Sequence, residues 1–187
     1  LMNSVCLPEI EAKAIEENYH NLYQVSDEWK KTRIDEASKL GYATVAFGLR
    51  VRTPILAQTV LNSKSTPYEA KAESRTVGNA MGQSYGMLNN RAGIEFQERT
   101  LASKYFLDIL PIAHIHDAQY FLVRNELGIV HWFNKELVEC MQWQELPEIK
   151  HDLVKLGGEI EIFHPTWADK VTIPNNASFE TIDVLCE

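Results

Sequence analysis

The sequence predicts an α+β fold in which long helices flank an antiparallel β-hairpin. Apolar positions recur at helical spacing in four segments, residues 9–23, 27–40, 68–106 and 128–142. Residues 112–123 are instead apolar on both sides of a short polar centre, which is typical of two strands joined by a tight turn. With 187 residues, of which 45% are hydrophobic and 24% charged, the chain has the size and composition of an ordinary globular domain.

Two helices open the chain. Pro8 suits the start of a helix over residues 9–23, because the N–H that proline lacks has no partner at a helix start. Ser26 is the expected N-cap of the second helix, since its hydroxyl can accept a hydrogen bond from a free backbone N–H. Gly41 is the expected end of that helix, in the left-handed conformation that glycine adopts readily.

A short strand pair is predicted next. Residues 42–47 and 49–53 have strand composition, and Gly48 between them marks the turn. Arg50 and Arg52 should point to one face of the second strand, because strand side chains repeat every two residues. The plain interpretation of that face is an ordinary solvated surface.

A long helix should follow the polar residues 58–67, which are expected to form a loop. No proline interrupts residues 68–106, and their apolar spacing is helical. Glycine weakens a helix interior, so we expect a bend near Gly78, Gly82 or Gly86.

The last third of the chain is predicted to contain a helix, one strand and a tail. Residues 128–142 have helical spacing, and residues 159–163 alternate as a half-buried strand does. The segment from Pro174 onward is rich in Asn and Ser and is expected to be poorly ordered.

A polar stripe lies on the long predicted helix. Arg75, Asn79 and Gln83 are four residues apart, so their side chains share one helix face. They offer several hydrogen-bond donors and no negative charge, which suits the acceptor atoms that every base pair presents in the minor groove of a duplex. A solvated helix face is the plain alternative.

The centre of the hairpin is the candidate for chemistry. His116 and Asp117 fall at the predicted turn, where aspartate can hydrogen-bond the local backbone. A carboxylate held at a hairpin tip is also a hard oxygen ligand that suits Mg²⁺. An ordinary surface hairpin and a metal-binding hairpin are both open at this point.

Several segments together resemble the family A DNA polymerases, the bacterial polymerase I type. The resemblance covers nearly the whole chain, from residue 8 to residue 168, and its segments follow the order they have in that family. Residues 81–86 are most similar to the phage replicative members. The first segment is residues 41–50, which resemble a Gly-Tyr-x-x-Thr-x-x-Gly-Arg-Arg-Arg type with Leu49 in place of one of its basic residues. The others are Arg75, Asn79 and Gln83 (the palm-helix Arg-x-x-x-Asn-x-x-x-Gln), Ile115, His116 and Asp117 (apolar-His-Asp-Glu), and Trp167 with Ala168 (an Asn-Trp-x-x-Ala ending).

The resemblance implies a polymerase palm portion and two-metal nucleotidyl transfer. Asp117 would be one Mg²⁺ ligand, next to His116 at the catalytic hairpin. Arg75, Asn79 and Gln83 of the long helix, together with Arg50 and Arg52 of the strand segment, would contact primer–template DNA. The remaining substrates would be deoxynucleoside triphosphates.

Two departures from the family pattern qualify this expectation. Ala118 stands where the family usually has Glu, an accessory carboxylate, which affects the expected rate and metal preference. The family's other metal-binding Asp and its triphosphate-binding fingers helix lie upstream of Leu1 in family order. The chain is therefore expected to be the C-terminal part of a polymerase that cannot polymerise alone.

The resemblance also implies how the chain is divided into segments and which partners it needs. Residues 1–41 would adjoin the fingers, residues 42–173 would form the palm portion, and residues 174–187 would be a tail. The Mg²⁺ site would be completed by residues outside the chain, from a missing N-terminal portion or a second polypeptide. An isolated chain would self-associate through the uncovered hairpin strands.

Two other functions fit the same residues. A palm-like accessory module without catalysis would explain Ala118. A metal-dependent nuclease or phosphatase would use Asp117 with histidines, and His114 and His116, on one strand face, could share a transition metal.

Charge and cysteine content limit the remaining classes. A net charge of −8 argues against general affinity for polyanions, although local basic surfaces can still bind nucleic acid. Cys6, Cys140 and Cys186 lack metal-ligand spacing and leave one thiol unpaired in any disulfide scheme, which favours a reducing cytoplasm, that of the host if the chain is phage-encoded. No apolar run approaches the roughly 20 residues that span a membrane.

Overall fold

The computed structural model of this chain is an α+β fold, as the mixture of helical and alternating patterns predicts. It describes residues 7–59 and 67–186. The helices are α1 (Glu9–Leu22), α2 (Gln24–Leu40), α3 (Tyr68–Gln83), α4 (Met87–Ala102), α5 (Leu127–Met141) and α6 (Phe179–Cys186). The strands are β1 (Tyr42–Thr44), β2 (Arg50–Arg52), β3 (Ile109–Ile115), β4 (Ala118–Val123), β5 (Ile160–Phe163) and β6 (Lys170–Ile173).

Within the described residues, the strands form three separate antiparallel pairs, β1 with β2, β3 with β4 and β5 with β6. Contacts divide the chain into two compact units, Leu1–Ser84 and Tyr85–Glu187, which we call the first and second units. The predicted loop over residues 58–67 falls for the most part on residues 60–66, which lie outside the described residues, as does Cys6.

The two opening helices meet with almost no break. Gly41 ends α2 with a φ of 76° and donates its N–H to the Ala37 carbonyl at 2.9 Å, which confirms the predicted left-handed end. The predicted cap at Ser26 is wrong. Helix α2 begins at Gln24 with Tyr23 at its N-cap, and the Asp27 N–H donates to the Tyr23 carbonyl at 3.1 Å, so Ser26 already lies inside the first turn.

The first strand pair is fixed to the end of α2 by one threonine. Buried Thr53 donates its hydroxyl to the Ala37 carbonyl at 2.9 Å and its N–H to the Gly41 carbonyl at 2.8 Å. A buried hydroxyl needs such a partner, because leaving it unpaired would cost its desolvation energy. The core of the first unit consists of Ala37, Ala43, Leu56, Ala70, Val77 and Met81.

The predicted long helix is interrupted, as its glycines indicated. α3 ends at Gln83, a 3₁₀ turn covers Ser84–Gly86, and α4 begins at Met87. The Ser84 hydroxyl accepts the Ala46 N–H at 3.1 Å and lies 3.2 Å from the Met81 carbonyl, so this residue fixes the end of α3 within the first unit.

The second unit packs α4, α5 and the β3–β4 hairpin around aromatic rings. Phe96 of α4 meets Phe121 of β4 and Phe133 of α5 edge to face, with ring centroids 5.4 and 5.1 Å apart. Such pairs stabilise beyond simple area burial. The other buried members of this core are Ala92, Ile109, Ile129, Leu137, Val138, Cys140, Ile160, Ile173, Ala177 and Ile182.

The C-terminal segment is ordered, contrary to the expectation from its Asn and Ser content. Asn134 of α5 is buried and donates to the Pro174 carbonyl at 3.0 Å, while its side-chain oxygen accepts the Ala177 N–H at 3.1 Å. Ile182 of α6 is fully buried in the same core. One buried amide and one apolar side chain therefore hold the segment. Both act through contacts with residues that are distant in the sequence.

Over the part of the chain that the structure describes, none of the helices has the length and apolar character needed to cross a bilayer.

Candidate functional site

Asp117 lies at the tip of the β3–β4 hairpin. The last strand pair is Ile115 with Ala118, so His116 and Asp117 form a two-residue turn. His116 adopts a φ of 55°, in the left-handed region that such turns require. The Asp117 side chain is exposed, and the turn presents its carboxylate to solvent at the end of a paired ribbon.

The tip is tied to helix α4 through Asn89. The Asn89 side-chain amide donates to the Asp117 carbonyl at 2.8 Å and lies 3.3 Å from Nε2 of His114. Gln119, next to the turn on β4, donates to the backbone carbonyl and the side-chain oxygen of Asn89 at 2.6 and 2.8 Å. Neither Asn89 nor Gln119 was predicted as a site residue.

The two faces of the hairpin differ. Phe121 and Val123 point to the aromatic core beneath, whereas Leu110, Ile112 and Leu122 remain 47%, 54% and 59% exposed. Three large apolar side chains on one two-stranded ribbon make a surface that water solvates poorly. The predicted strands therefore exist, and these three apolar side chains are exposed to solvent.

An exposed tryptophan borders the hairpin. Trp167, in the loop between β5 and β6, stacks on Phe163 at 5.1 Å and meets Tyr120 of β4 at 5.4 Å. These contacts connect Trp167 with the strand that follows Asp117. Strand β6, which the sequence analysis missed, pairs with β5 and carries this loop.

The polar stripe of the first unit lies on α3 as its spacing predicts. Arg75, Asn79 and Gln83 are all exposed, and the opposite helix face carries the buried Val77 and Met81. The Arg75 guanidinium also lies 5.6 Å from the Tyr68 ring, a cation–π contact on the exposed surface.

The two strand arginines are likewise exposed on one face of β2. Arg50 faces Thr44 and Arg52 faces Tyr42 across the ladder, and the Arg50 guanidinium lies 4.5 Å from the Tyr42 ring. Arg50, Arg52 and the α3 stripe belong to the first unit, and His116 and Asp117 belong to the second.

The residues present suit only part of a metal site. Among the described residues, no group of three or more His, Cys, Asp and Glu side chains could hold a metal ion. Mg²⁺ is usually bound by one or two carboxylates and completes its shell with phosphate oxygens and water. The Asp117 carboxylate can therefore serve as one Mg²⁺ ligand, provided that other groups come from outside these residues.

An ion-pair network that the sequence analysis did not foresee joins α4 to α5. Arg99 contacts Glu95 at 2.6 Å on its own helix, and Glu136 and Glu139 at 2.9 and 3.3 Å on α5. Arg91 also pairs with Glu95. Burial opposes ionisation of Glu95, but hydrogen bonds and charge from Arg99 and Arg91 outweigh it and hold the pKa of this carboxyl below its usual range.

Cys140 is not a candidate nucleophile. It is buried beside the same network, and burial raises the pKa of its thiol to about 11. The reactive thiolate form is therefore scarce at neutral pH.

Comparison of this chain with models of known protein families, with curated proteins and with solved structures gives no match.

Proposed function

We propose that this chain is the C-terminal palm portion of a family A DNA-directed DNA polymerase. The observation that carries the proposal is the Asp117 carboxylate, exposed at the tip of a hairpin whose base is packed in an aromatic core. A metal-binding carboxylate must keep its place while substrates exchange, and a paired ribbon tied to a helix suits that requirement.

In this proposal, the Asp117 carboxylate binds one of two catalytic Mg²⁺ ions. The bound metal pair would neutralise charge on the reacting phosphate and activate the attacking primer hydroxyl. His116 would shape the turn that presents Asp117, consistent with its left-handed backbone. Ala118 supplies no accessory carboxylate, so the metal preference should depend on groups outside this chain.

The α3 stripe would contact primer–template DNA. Arg75, Asn79 and Gln83 are exposed on one face and can donate to minor-groove acceptors that occur at every base pair. This contact would be indifferent to sequence, as copying any template requires. Arg50 and Arg52 would add backbone phosphate contacts.

The proposal requires a partner. The second metal-binding aspartate and the residues that bind deoxynucleoside triphosphates would come from an N-terminal polymerase portion or from a second polypeptide. The compartment would be the cytoplasm, the host's if the chain is phage-encoded, where templates and nucleotides are available.

The decisive experiment supplies the N-terminal portion or the second polypeptide that the proposal requires. The joined protein, or the two polypeptides together, is assayed for Mg²⁺-dependent extension of a labelled primer on a template. We expect extension by the wild type, none by Asp117→Asn, and primer–template affinity within a few-fold in that variant. Asp152→Asn, at an exposed carboxylate elsewhere in the second unit, is the matched control and should extend normally.

The rival functions give different results in this assay. A nuclease would cleave the labelled DNA as the isolated chain with Mg²⁺ or Mn²⁺. An accessory module would leave the primer unextended even when the upstream portion is supplied. Substantial extension by Asp117→Asn would show that another group binds the metal.

A further inference from the structure

We infer that Asn89 is the positioning residue for Asp117, and that Gln119 acts with it as one buttress for the hairpin tip. The effect of these two residues on the conformation of the hairpin tip follows from their hydrogen bonds and does not depend on the function of the chain. Its meaning for catalysis rests on the proposed function above.

The hydrogen bonds determine the orientation of the Asn89 amide. The Asp117 carbonyl can only accept, so the side-chain atom 2.8 Å from it must be the Asn89 nitrogen. The Asn89 oxygen then faces the Gln119 nitrogen at 2.8 Å, which also donates to the Asn89 backbone carbonyl at 2.6 Å. Every donor in this chain of bonds meets an acceptor, and no other orientation of the Asn89 amide does the same.

Gly93 leaves the space in which this buttress fits. A Cβ atom at position 93 would come within 2.8 Å of the Gln119 side-chain amide carbon, closer than carbon atoms approach without displacement. The Gln119 amide is held at Asn89 by two bonds, so moving it away would break them. Helix α4 therefore supplies both the amide that contacts the tip and the gap that admits Gln119.

The bond to Asp117 acts where the turn is least constrained by the ladder. The antiparallel pairing ends at Ile115 and Ala118, so His116 and Asp117 have no partners across the strands. His116 is left-handed, a conformation that non-glycine residues rarely adopt without support. Holding the Asp117 carbonyl limits rotation about the Cα–C bond of this residue and so restricts the direction of its Cα–Cβ bond.

The test uses the whole chain labelled with ¹⁵N, with MnCl₂ as the probe. Paramagnetic broadening of the Asp117 and His116 amides reports metal affinity at the tip, and a strong intraresidue HN–Hα NOE at His116 reports its left-handed backbone. We compare the wild type with Asn89→Ala, Gln119→Ala and the double variant. Asn90→Ala, at the exposed neighbouring position of α4, is the matched control.

We expect Asn89→Ala to weaken Mn²⁺ binding at the tip by roughly fivefold, the change that loss of a typical hydrogen bond produces. The His116 NOE should also weaken, while the amide shifts of the aromatic core stay in place. The double variant should be little worse than Asn89→Ala, because both residues act through one link. Asn90→Ala should match the wild type.

An unchanged His116 NOE together with unchanged broadening in Asn89→Ala would overturn the inference. If Asn89→Ala disturbs the core shifts, Asn89→Leu, which fills a similar volume without the hydrogen bonds, takes its place in the same comparison. The same readouts then decide the question.

These results separate the inference from the proposed function. Absence of Mn²⁺ broadening at Asp117 in the wild type would count against the metal-ligand role, while the His116 NOE would still decide whether Asn89 sets the turn. In the reconstituted polymerase, Asn89→Ala should lower kcat with the nucleotide KM nearly unchanged. An unchanged kcat there would refute positioning and leave the polymerase assignment standing.

Discussion

Truncation of Phe121 should loosen the base of the hairpin that carries Asp117. The Phe121 ring meets Phe96 at 5.4 Å and Phe133 at 5.2 Å, each in an edge-to-face arrangement. A fully buried Phe→Ala change costs about 3–5 kcal/mol, which includes the cavity that it leaves. Phe121 is partly buried, so we expect Phe121→Ala to lower the free energy of unfolding of the second unit by about 2–3 kcal/mol.

The measurement is urea unfolding followed by tryptophan fluorescence. Trp132 reports on this core directly, because its ring lies 5.9 Å from that of Phe96. The adjacent Leu122 points to the opposite, exposed face, and Leu122→Ala should cost less than about 1 kcal/mol. Equal losses for the two variants, or no loss for Phe121→Ala, would refute the assignment of inner and outer hairpin faces.

Three further predictions concern the stripe, the ion pairs and the exposed hairpin face. In the reconstituted enzyme, Gln83→Ala should weaken primer–template binding by roughly 1–3 kcal/mol, measured by fluorescence anisotropy with a labelled duplex. The pKa of Glu95 is lowered in the folded chain, so its stabilising contribution is complete at neutral pH and is lost as the pH falls through that folded-state value. Glu95→Gln should therefore reduce the loss of stability seen on acidification, measured by urea unfolding at several pH values. The isolated chain should self-associate in sedimentation equilibrium, and Leu110→Lys with Leu122→Lys should reduce its apparent mass to that of one chain.

Each of these predictions has a matched control on the same chain. Gln24→Ala, at an exposed position of α2, should leave duplex affinity unchanged; an equal effect would mean that the α3 stripe has no special role. Glu98→Gln, on the exposed side of α4, should keep the wild-type pH dependence. Leu153→Lys, at a residue 89% exposed outside the hairpin, should not alter self-association. A monomeric wild type would contradict the last prediction outright.

Features set by residues close in sequence were predicted well. The helical spacing and Gly41 gave the end of α2, and the apolar–polar–apolar pattern gave the β3–β4 hairpin with Asp117 at its turn. These elements depend on period and on backbone conformation, which a short stretch of residues determines.

The contacts of Asn89 and the ordered C-terminal segment, which were missed, depend on residues far apart in the chain. Asn89 meets Asp117 across 28 positions, and Asn134 reaches Ala177 across 43, so neither contact leaves a local pattern. The same reason explains the C-terminal segment. Its polar composition predicts disorder, but the buried Asn134 amide on α5 holds it in place. A buried polar residue in an otherwise apolar helix face, such as Asn134, is the one signal that could have indicated a distant partner.

The members of the ion-pair network between α4 and α5 do not contribute equally to it. Arg99 pairs with three carboxylates on two helices, whereas each carboxylate contributes one contact to Arg99. Neutralising Glu136 removes one ion pair, and Arg99 still has the carboxylates of Glu95 and Glu139 as counter-charges. Removing the guanidinium instead leaves Glu136 and Glu139 crowded on α5 without their shared cation, so like charges repel where opposite charges had met. Replacing one carboxylate should therefore cost less stability than replacing Arg99 by a neutral residue, and both costs should be modest because these side chains are partly exposed.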